Sequence, residues 1–302
     1  LDGLSLALSS AGAYLDNTST TFAEYLQMYN ESWLRLQEST PDLLSYEDRA
    51  LHSTWNISYA QVKRQNTASA MLLQLWAYFD NEDLWFELLR EYHSYGLEWF
   101  RELTSDALNF IQAVRVLCEY GLVEADTSLR ERGTESRGYG MHACVHLWTV
   151  HVLNVSRDIA MERLAVACVA LHSPEQTDRG CWAMQRRLMQ HASRCVATLM
   201  MSRMPTWIQY NLGNLYGSQG RLSEAALMDE RALRDDEKIL GPGHILTLYT
   251  VNNLGILYET QGRLSEAEAM RRRALRGKEK AVGPDHVSTL DTDYNLGSLY
   301  NA

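Results

Sequence analysis

The most informative stretch of the sequence is residues 247–286, TLYTVNNLGILYETQGRLSEAEAMRRRALRGKEKAVGPDH. Its motifs return with a constant step of 42 residues: NLGxLY begins at Asn211, Asn253 and Asn295, GRLSEA at Gly220 and Gly262, and GPxH at Gly241 and Gly283. Agreement of three motifs at one period indicates internal repetition. Repeats of this length predict an α-solenoid built from stacked units.

Each repeat is expected to form two helices. The buried face of the first helix is predicted from helical spacing to consist of Leu248, Val251, Leu254, Gly255 and Tyr258. Gly262 is expected to form the turn that follows. Ser265 is expected to cap the second helix, with Glu266 and Glu268 in its first turn.

The second helix of the repeat carries small residues on one face. Ala267 and Ala274 are expected to let the paired helices approach closely, and Gly283-Pro284 is expected to end the helix. Such a unit cannot bury its apolar face alone, so neighbouring units must stack. Because Leu1 is not an initiator Met and the last motif stops in mid-repeat, we expect the chain to be a fragment or a truncated product.

The pattern TLxTxNNLGxLYxxQGRLxEAExMxxRAL…GPDH resembles the kinesin-light-chain subtype of tetratricopeptide repeat over about residues 204–302. That subtype usually has Tyr in the second helix, four residues after the first small Ala, where this chain has Asp229 and Arg271. The resemblance implies a protein-binding module. Its ligand would be an extended peptide or a helix, held in a concave groove lined by the first helices.

The resemblance also implies which side chains line that groove. The matching residues are Asn211, Asn253 and Asn295 and, one turn further on, Asn214, Ile256 and Ser298. Amides suit this role because each offers a donor and an acceptor to a peptide backbone. The alternative is that these Asn side chains bond only within the solenoid. No cluster of Lys or Arg accompanies them, so a clamp for acidic peptides is not indicated.

The first two hundred residues predict helices and one hairpin. Two helices are expected within residues 1–40, the second with a Thr cap at residues 20–21, and others near 56–65, 67–78 and 105–120. LVEAD and YGMHACVHLW flank a polar loop at 126–138 and predict a β-hairpin. Three helices and a hairpin indicate a winged-helix domain. The aromatic residues at 76–86 are expected to pack in a core.

The predicted fold class is therefore mainly α. We expect a helical remnant at residues 1–45, a winged-helix-like domain at 46–155, a helical connector at 156–203 and the repeats at 204–302.

The first part of the chain has a resemblance of its own. GLSLALSSAGAYL resembles the GLPLAL motif of NB-ARC nucleotide-binding domains, and GYGMHACVHLW resembles the MHD-type segment that closes their winged-helix domain. With STWNIS, LLQLWAYFDNEDLWFELL and GLVE between them, the order of motifs resembles fungal NOD-like STAND proteins, which often end in such repeats. The chain is thus expected to be the C-terminal part of such a protein.

This resemblance implies nucleotide contacts at Ser5, which would lie against the base, and at His142, which would approach the ADP phosphates. Ser5 and Ala143 depart from the family motifs, which have Pro and Asp there. No GxxxxGK[ST] phosphate loop occurs in the chain. We therefore expect no cofactor in this chain. ADP or ATP binding, and any homo-oligomer formed through a nucleotide domain, would belong to a longer parent.

Composition excludes other classes of partner. Acidic residues outnumber basic ones by 38 to 28, which disfavours nucleic acid. No apolar run reaches the roughly 18 residues of a membrane span, so no membrane contact is expected. Five widely spaced Cys and the absence of a basic leading segment indicate free thiols in a reducing, cytoplasmic location.

Two groups of His and Cys residues resemble functional sites but are better explained by packing. His142, Cys144 and His146 alternate on an expected strand, so they would share a face that could hold zinc. The paired-Cys spacing of structural zinc sites is missing, however. We therefore expect these residues to pack and expect no metal. His191 and Cys195 fit no catalytic pattern, so no enzyme activity is expected.

The expected function is the sensing and regulatory half of a STAND-type signalling protein, with partner binding by the repeats. The alternatives are a free-standing adaptor without a nucleotide switch and a degenerate product without function.

Overall fold

The computed structural model describes residues 2–39, 46–93, 96–126, 137–172, 181–199 and 204–300. This part of the chain is mainly helical and has one small antiparallel sheet, which confirms the predicted fold class. The chain folds as two compact units, residues 1–168 and 169–302. The finer boundaries at residues 45, 155 and 203 remain predictions. None of the described helices has the length and apolar character needed to cross a membrane.

The first unit begins with helices α1 (Asp2–Asn17), α2 (Phe22–Ser39), α3 (Tyr46–Gln65), α4 (Thr67–Trp76), α5 (Phe86–Arg90), α6 (Glu98–Thr104) and α7 (Ala107–Glu119). The helices predicted from the sequence are among them. Thr21 caps α2 as expected: its Oγ1 accepts from Glu24 N–H at 3.3 Å, and the Glu24 carboxylate accepts from Thr21 N–H at 2.7 Å. This reciprocal pair is a capping box.

Aromatic side chains fill the core of the first unit. Among the residues whose side chains the structure describes there, the fully buried tryptophans are Trp55, Trp76, Trp85 and Trp148. The indole N–H of Trp55 donates to Ser10 Oγ at 3.2 Å, which satisfies a donor that would otherwise be costly to bury. The predicted core role of residues 76–86 is confirmed for Trp76, Phe79 and Trp85, while Phe86 is half-buried.

The predicted hairpin is present in a shortened form. Strand β1 (Glu124–Ala125) pairs antiparallel with β2 (Tyr139–Gly140), and Ala125 lies opposite Tyr139. The backbone of Tyr139 also exchanges two hydrogen bonds with Leu84, each 2.8 Å long. Most of the predicted loop at 126–138 lies outside the described residues, which stop at 126 and resume at 137.

The prediction that YGMHACVHLW forms a strand is wrong after residue 140. Helix α8 (Ala143–Trp148) follows, continues into a π-helical turn (Thr149–Leu153) and precedes α9 (Ile159–Leu171). Strand pairing ends because Met141 N–H donates to Asn81 O at 2.8 Å. His142 Nδ1 then accepts from Cys144 N–H at 3.2 Å and caps the new helix.

This helix also removes the shared face of His142, Cys144 and His146 on which the zinc alternative depended. Alternate residues share one face of a strand, but on a helix they point about 200° apart. His142 and Cys144 are exposed, whereas His146 is buried with its Nε2 3.0 Å from Phe79 O. Among the residues that the structure describes, no three His, Cys, Asp or Glu side chains are grouped as a metal site requires.

The second unit continues with α10 (Cys181–Leu199), α11 (Thr206–Ser218), α12 (Leu222–Ile239), α13 (Ile245–Thr260), α14 (Leu264–Val282) and α15 (Val287–Leu299). Helices α11–α12 and α13–α14 are two successive repeats, and α15 is the first helix of the next, as the 42-residue period predicts. The predicted packing positions are all buried: Leu248, Val251, Leu254, Gly255, Tyr258, Ala267 and Ala274.

Tight turns join these helices. Gly262 has φ 75° and Gly283 has φ 95°, both in the left-handed region that favours glycine, and α14 ends just before Gly283 as predicted. The predicted Ser265 cap is wrong, because α14 begins at Leu264 and its N-cap position is Arg263, two residues before Ser265. The Arg263 N–H donates to Tyr258 O at 2.8 Å and closes the turn early, which leaves Ser265 inside the first helical turn.

Candidate partner-binding site

The first helices α11, α13 and α15 carry the residues predicted to line a groove. Half-buried amides occupy equivalent positions on the three helices: Asn211, Asn253 and Asn295. One turn further on, the corresponding residues are exposed: Asn214, Ile256 and Ser298. The Ser298 hydroxyl donates to Asn295 O on its own helix, at 2.8 Å.

The three equivalent Asn side chains differ in what they bind. Asn211 Nδ2 donates to Ala170 O, at the end of α9, with a distance of 3.1 Å. That amide is therefore engaged by the backbone of Ala170, which belongs to the same compact unit as the repeats. Within the described residues, the side-chain amides of Asn253 and Asn295 make no hydrogen bond. Their donors and acceptors are available to a ligand.

Asn253 and Asn295 line one cavity of about 340 Å³ between α13, α14 and α15. The other lining residues are Tyr249, Asn252, Lys278, Ser288, Asp291 and Tyr294. The structure therefore brings two of the six predicted groove residues together. Neither Ile256 nor Ser298 belongs to the lining, and Asn211 and Asn214 lie on α11, outside it.

Exposed aromatic side chains accompany these amides and were missed from the sequence. They lie on the first helices one turn or less before the Asn positions: Trp207, Tyr210, Tyr249 and Tyr294. Tyr294 is 78% exposed. The sequence does contain a signal for these aromatic positions. Tyr249 follows Trp207 by one repeat period, and Tyr294 follows Tyr210 by two. Exposed aromatic rings on one face are typical of binding surfaces.

Lys278 is the basic residue of the cavity lining, and its ammonium group is engaged within the protein. It donates to Ser288 O at 3.2 Å and to Thr292 Oγ1 at 2.9 Å, and lies 4.2 Å from the centroid of the Tyr249 ring. Burial lowers the pKa of Lys278, and the nearby Asp291 carboxylate opposes that shift. Lys278 thus ties α14 to α13 and α15.

Two acceptors in the cavity are less well satisfied. Asn252 is only 7% exposed, and its Oδ1 is buried without a hydrogen-bond partner. Asp291 is exposed and forms no ion pair within the described part of the chain. The cavity therefore presents unused acceptors beside the free amides.

The second helices carry opposite buried charges at equivalent positions. The acids Asp229 and Asp236 on α12 correspond to the bases Arg271 and Lys278 on α14. Arg271 pairs with Glu259 and also donates to Asn295 O. Asp236 accepts from the Thr250 hydroxyl at 3.1 Å. Three of these four charges thus join a second helix to neighbouring first helices: Asp236 joins α12 to α13, and Arg271 and Lys278 join α14 to α13 and α15.

Asp229 and Arg271 stand where the related repeats usually have Tyr, and both pack against glycine. A Cβ on Gly213 would lie 2.6 Å from Asp229 Oδ1, and one on Gly255 would lie 2.8 Å from Arg271 Cγ. Asp229 Oδ1 has no hydrogen-bond partner, and burial raises the pKa of Asp229 to about 7. The repeat therefore stays closely packed despite the missing Tyr.

A larger cavity, of about 650 Å³, lies between α12 and the turn that joins α13 to α14. Its polar side chains already bind one another or the backbone. Glu230 accepts from the Tyr258 hydroxyl at 2.9 Å, Gln261 donates to Leu222 O at 2.7 Å, and Arg263 pairs with Glu266. The smaller cavity is the better candidate because its amides are unoccupied.

The predicted nucleotide residues lie on separate helices of the first unit. Ser5 is exposed on α1, and His142 is exposed at the N-terminus of α8, where its ring caps that helix. The observed role of His142 is therefore local and structural. Nucleotide contact at either residue remains a prediction of the family resemblance.

Comparison with known proteins gives a family match within the second unit. Residues 206–280, which cover α11–α14, match the family model of the tetratricopeptide repeat. Repeats of this class generally mediate protein–protein interactions. The match agrees with the class predicted from the 42-residue period.

Among solved structures, the chain is similar to BtubC (BKLC) from P. vanneervenii, with 17% identity, a TM-score of 0.39, and coverage of 72% of this chain and 83% of that one. At this level the likeness carries no conclusion of its own. No curated protein sequence matches the chain. The resemblance to NOD-like STAND proteins, which spans nearly the whole chain, remains a prediction.

Proposed function

We propose that the repeats bind an extended peptide segment of a protein partner on the face formed by α11, α13 and α15. The observation that carries the proposal is the cavity of about 340 Å³, where the Asn253 and Asn295 amides are half-buried and unbonded among the described residues. The tetratricopeptide match over residues 206–280 supports a protein-binding role.

The side chains of this face suit a peptide ligand for two reasons. An amide offers donors and an acceptor, which are the groups that an extended backbone presents in return. Tyr249 and Tyr294 add large rings with a polar tip, and such side chains supply much of the contact energy in protein interfaces. A peptide that lies across α13 and α15 would engage both kinds of group.

Substitution of Asn253 tests the proposal. A peptide selected from a random phage-displayed library is expected to bind Asn253→Ala about tenfold to a hundredfold more weakly, since lost hydrogen bonds leave its backbone unpaired at a cost of about 1–3 kcal/mol. Asn211→Ala is the matched comparison, because its amide bonds to Ala170 O. That variant should lose thermal stability and change affinity little.

The opposite pattern would contradict the proposal. If Asn253→Ala loses thermal stability in proportion to affinity, the Asn253 amide of the native chain is structural. The proposed groove would then lack its central ligand contact.

The wider role that we propose is regulatory binding without catalysis, and without bound nucleotide in this chain. The resemblance to NOD-like proteins, carried by the order of motifs along nearly the whole chain, supports a place in the sensing half of a STAND-type switch in the cytoplasm. A free-standing adaptor is equally compatible with the repeats. The genomic reading frame upstream of residue 1 separates the two, because a phosphate loop there selects the switch.

A further inference from the structure

The first helices present an aromatic and acidic face that contains no Lys or Arg. The sequences of α11, α13 and α15 include three charged residues, Glu259, Asp291 and Asp293. Glu259 is already paired with Arg271. Asp291 lines the cavity, is exposed and has no ion-pair partner in the described part of the chain. The cavity lining therefore has one exposed charge, the negative charge of Asp291, beside the buried positive charge of Lys278.

The lysine of the cavity does not cancel that charge at the surface. Lys278 is 1% exposed, and its ammonium group already contacts Ser288 O, Thr292 Oγ1 and the Tyr249 ring. An acidic ligand would have to displace these contacts while lying close to the exposed Asp291. Both effects disfavour an acidic side chain in this cavity.

A buried acceptor in the same cavity calls for a donor. Asn252 Oδ1 has no partner although the residue is 7% exposed, and a buried unpaired acceptor lowers stability unless a ligand or water supplies a donor. Tyr294 lines the cavity as well and leaves most of its ring exposed. The Asp291 carboxylate, the Asn252 side chain with its buried and unpartnered oxygen, and the Tyr294 ring thus belong to one small cavity lining.

We propose that this cavity takes an arginine side chain of the bound peptide. Asp291 and Asn252 Oδ1 would accept hydrogen bonds from the guanidinium group, and the Tyr294 ring would stack on its plane. Arginine fits because it carries five N–H donors in a flat fork and stacks on aromatic rings. Lysine offers a compact point charge that fits a flat, multiply bonded site less well. The inference rests on the proposed function and names the chemistry of its ligand.

Four pools of random nonapeptides test the inference, each with the central residue fixed as Arg, Lys, Glu or Leu. The immobilised full chain is expected to retain the Arg pool best. In the strongest peptide from that pool, exchange of the central arginine for citrulline, which is neutral and of similar shape, is expected to weaken binding about tenfold.

Variants of α15 locate the effect. Asp291→Asn should remove most of the preference for arginine over citrulline. Asp293→Asn is the matched control, because this exposed acid lies on the same helix outside the cavity lining and should leave the preference unchanged. Unchanged circular dichroism of both variants shows that neither effect comes from unfolding.

The outcomes separate this inference from the function on which it rests. If the Glu or Leu pool is retained best, and Asn253→Ala abolishes that retention, the face binds peptides but the arginine site is wrong. If the native chain retains no pool better than Asn253→Ala does, the proposed peptide binding itself fails. An equal effect of Asp291→Asn and Asp293→Asn would also overturn the inference, because it would show a general charge effect.

Discussion

Replacement of Asp229 by Asn is expected to stabilise the repeats at pH 8 but not at pH 4.5. Asp229 lies on α12 against Gly213, is 6% exposed and has no hydrogen-bond partner for Oδ1. Burial raises its pKa from the ordinary 3.8 to about 7. The folded repeats therefore hold a proton at this carboxyl group over a pH range in which the unfolded chain has released it.

The sign of the effect follows from this proton. Between about pH 4 and pH 7 the folded state binds the proton and the unfolded state does not, so the free energy of unfolding falls as pH rises through this window. A rise of about three pKa units corresponds to roughly 4 kcal/mol, and relaxation around the charge reduces that value. Asn does not titrate, so the free energy of unfolding of Asp229→Asn should not fall between about pH 4 and pH 7. At pH 8 it should exceed that of the native chain by up to a few kcal/mol, a rough limit set by the pKa shift.

Urea denaturation, followed by circular dichroism at pH 4.5, 6 and 8, measures the free energy of unfolding of Asp229→Asn and of the native chain. Hydrogen exchange at the α12 amides assigns any difference to the repeats. Asp293→Asn, at an exposed site on α15, is the control and should give curves parallel to those of the native chain. A constant offset between Asp229→Asn and the native chain at all three pH values would refute the reasoning, because it would show that Asp229 does not change protonation on folding.

Two further expectations concern packing and nucleotide. Gly255→Ala should lower the free energy of unfolding, measured by urea denaturation, by about 1–3 kcal/mol, because the new Cβ would lie 2.8 Å from Arg271 Cγ and 3.3 Å from Ala267 O. The equivalent Gly297→Ala is the control. It has open space around it, so it should be neutral or stabilising. The purified chain should give no heat of binding with ADP and Mg²⁺ in titration calorimetry, since it has no phosphate loop; micromolar affinity would contradict this.

The repeats could be predicted from the sequence because their signals are periodic and mutually consistent. The apolar spacing of α13, the small residues Ala267 and Ala274 and the Gly262 turn all describe one helical hairpin, and each has the predicted place. The cap was misplaced because the bond from Arg263 N–H to Tyr258 O depends on the geometry of the turn. Such a backbone bond leaves no mark in residue type.

The strand predicted beyond Gly140 failed for a different reason. Alternating polar and apolar residues over six positions fit either a strand or a short helix, and the choice was made by the His142 cap and by the bond from Met141 N–H to Asn81 O. Asn81 is far away in sequence, so local pattern could not reveal that contact. The candidate site shows the same limit, because the cavity depends on how Lys278 of α14 meets α15.

The buried pair of Arg271 and Glu259 should show a strong asymmetry when each partner is removed. The Arg271 side chain is 2% exposed and that of Glu259 is 27% exposed. Glu259→Ala would leave a buried cation with only Asn295 O beside it and should cost about 3 kcal/mol, near the lower end for a broken buried pair.

In an Arg271→Met background, the same Glu259→Ala change should cost less than about 1 kcal/mol, because Glu259 then faces solvent without a buried charge to compensate. Urea denaturation of the four chains in this double-mutant cycle measures the coupling. An equal cost of Glu259→Ala in both backgrounds would show that the pair adds no coupling energy. In that case Arg271 would be held by its packing against Gly255 and its bond to Asn295 O, and the ion pair would be incidental to the joining of α13 and α14.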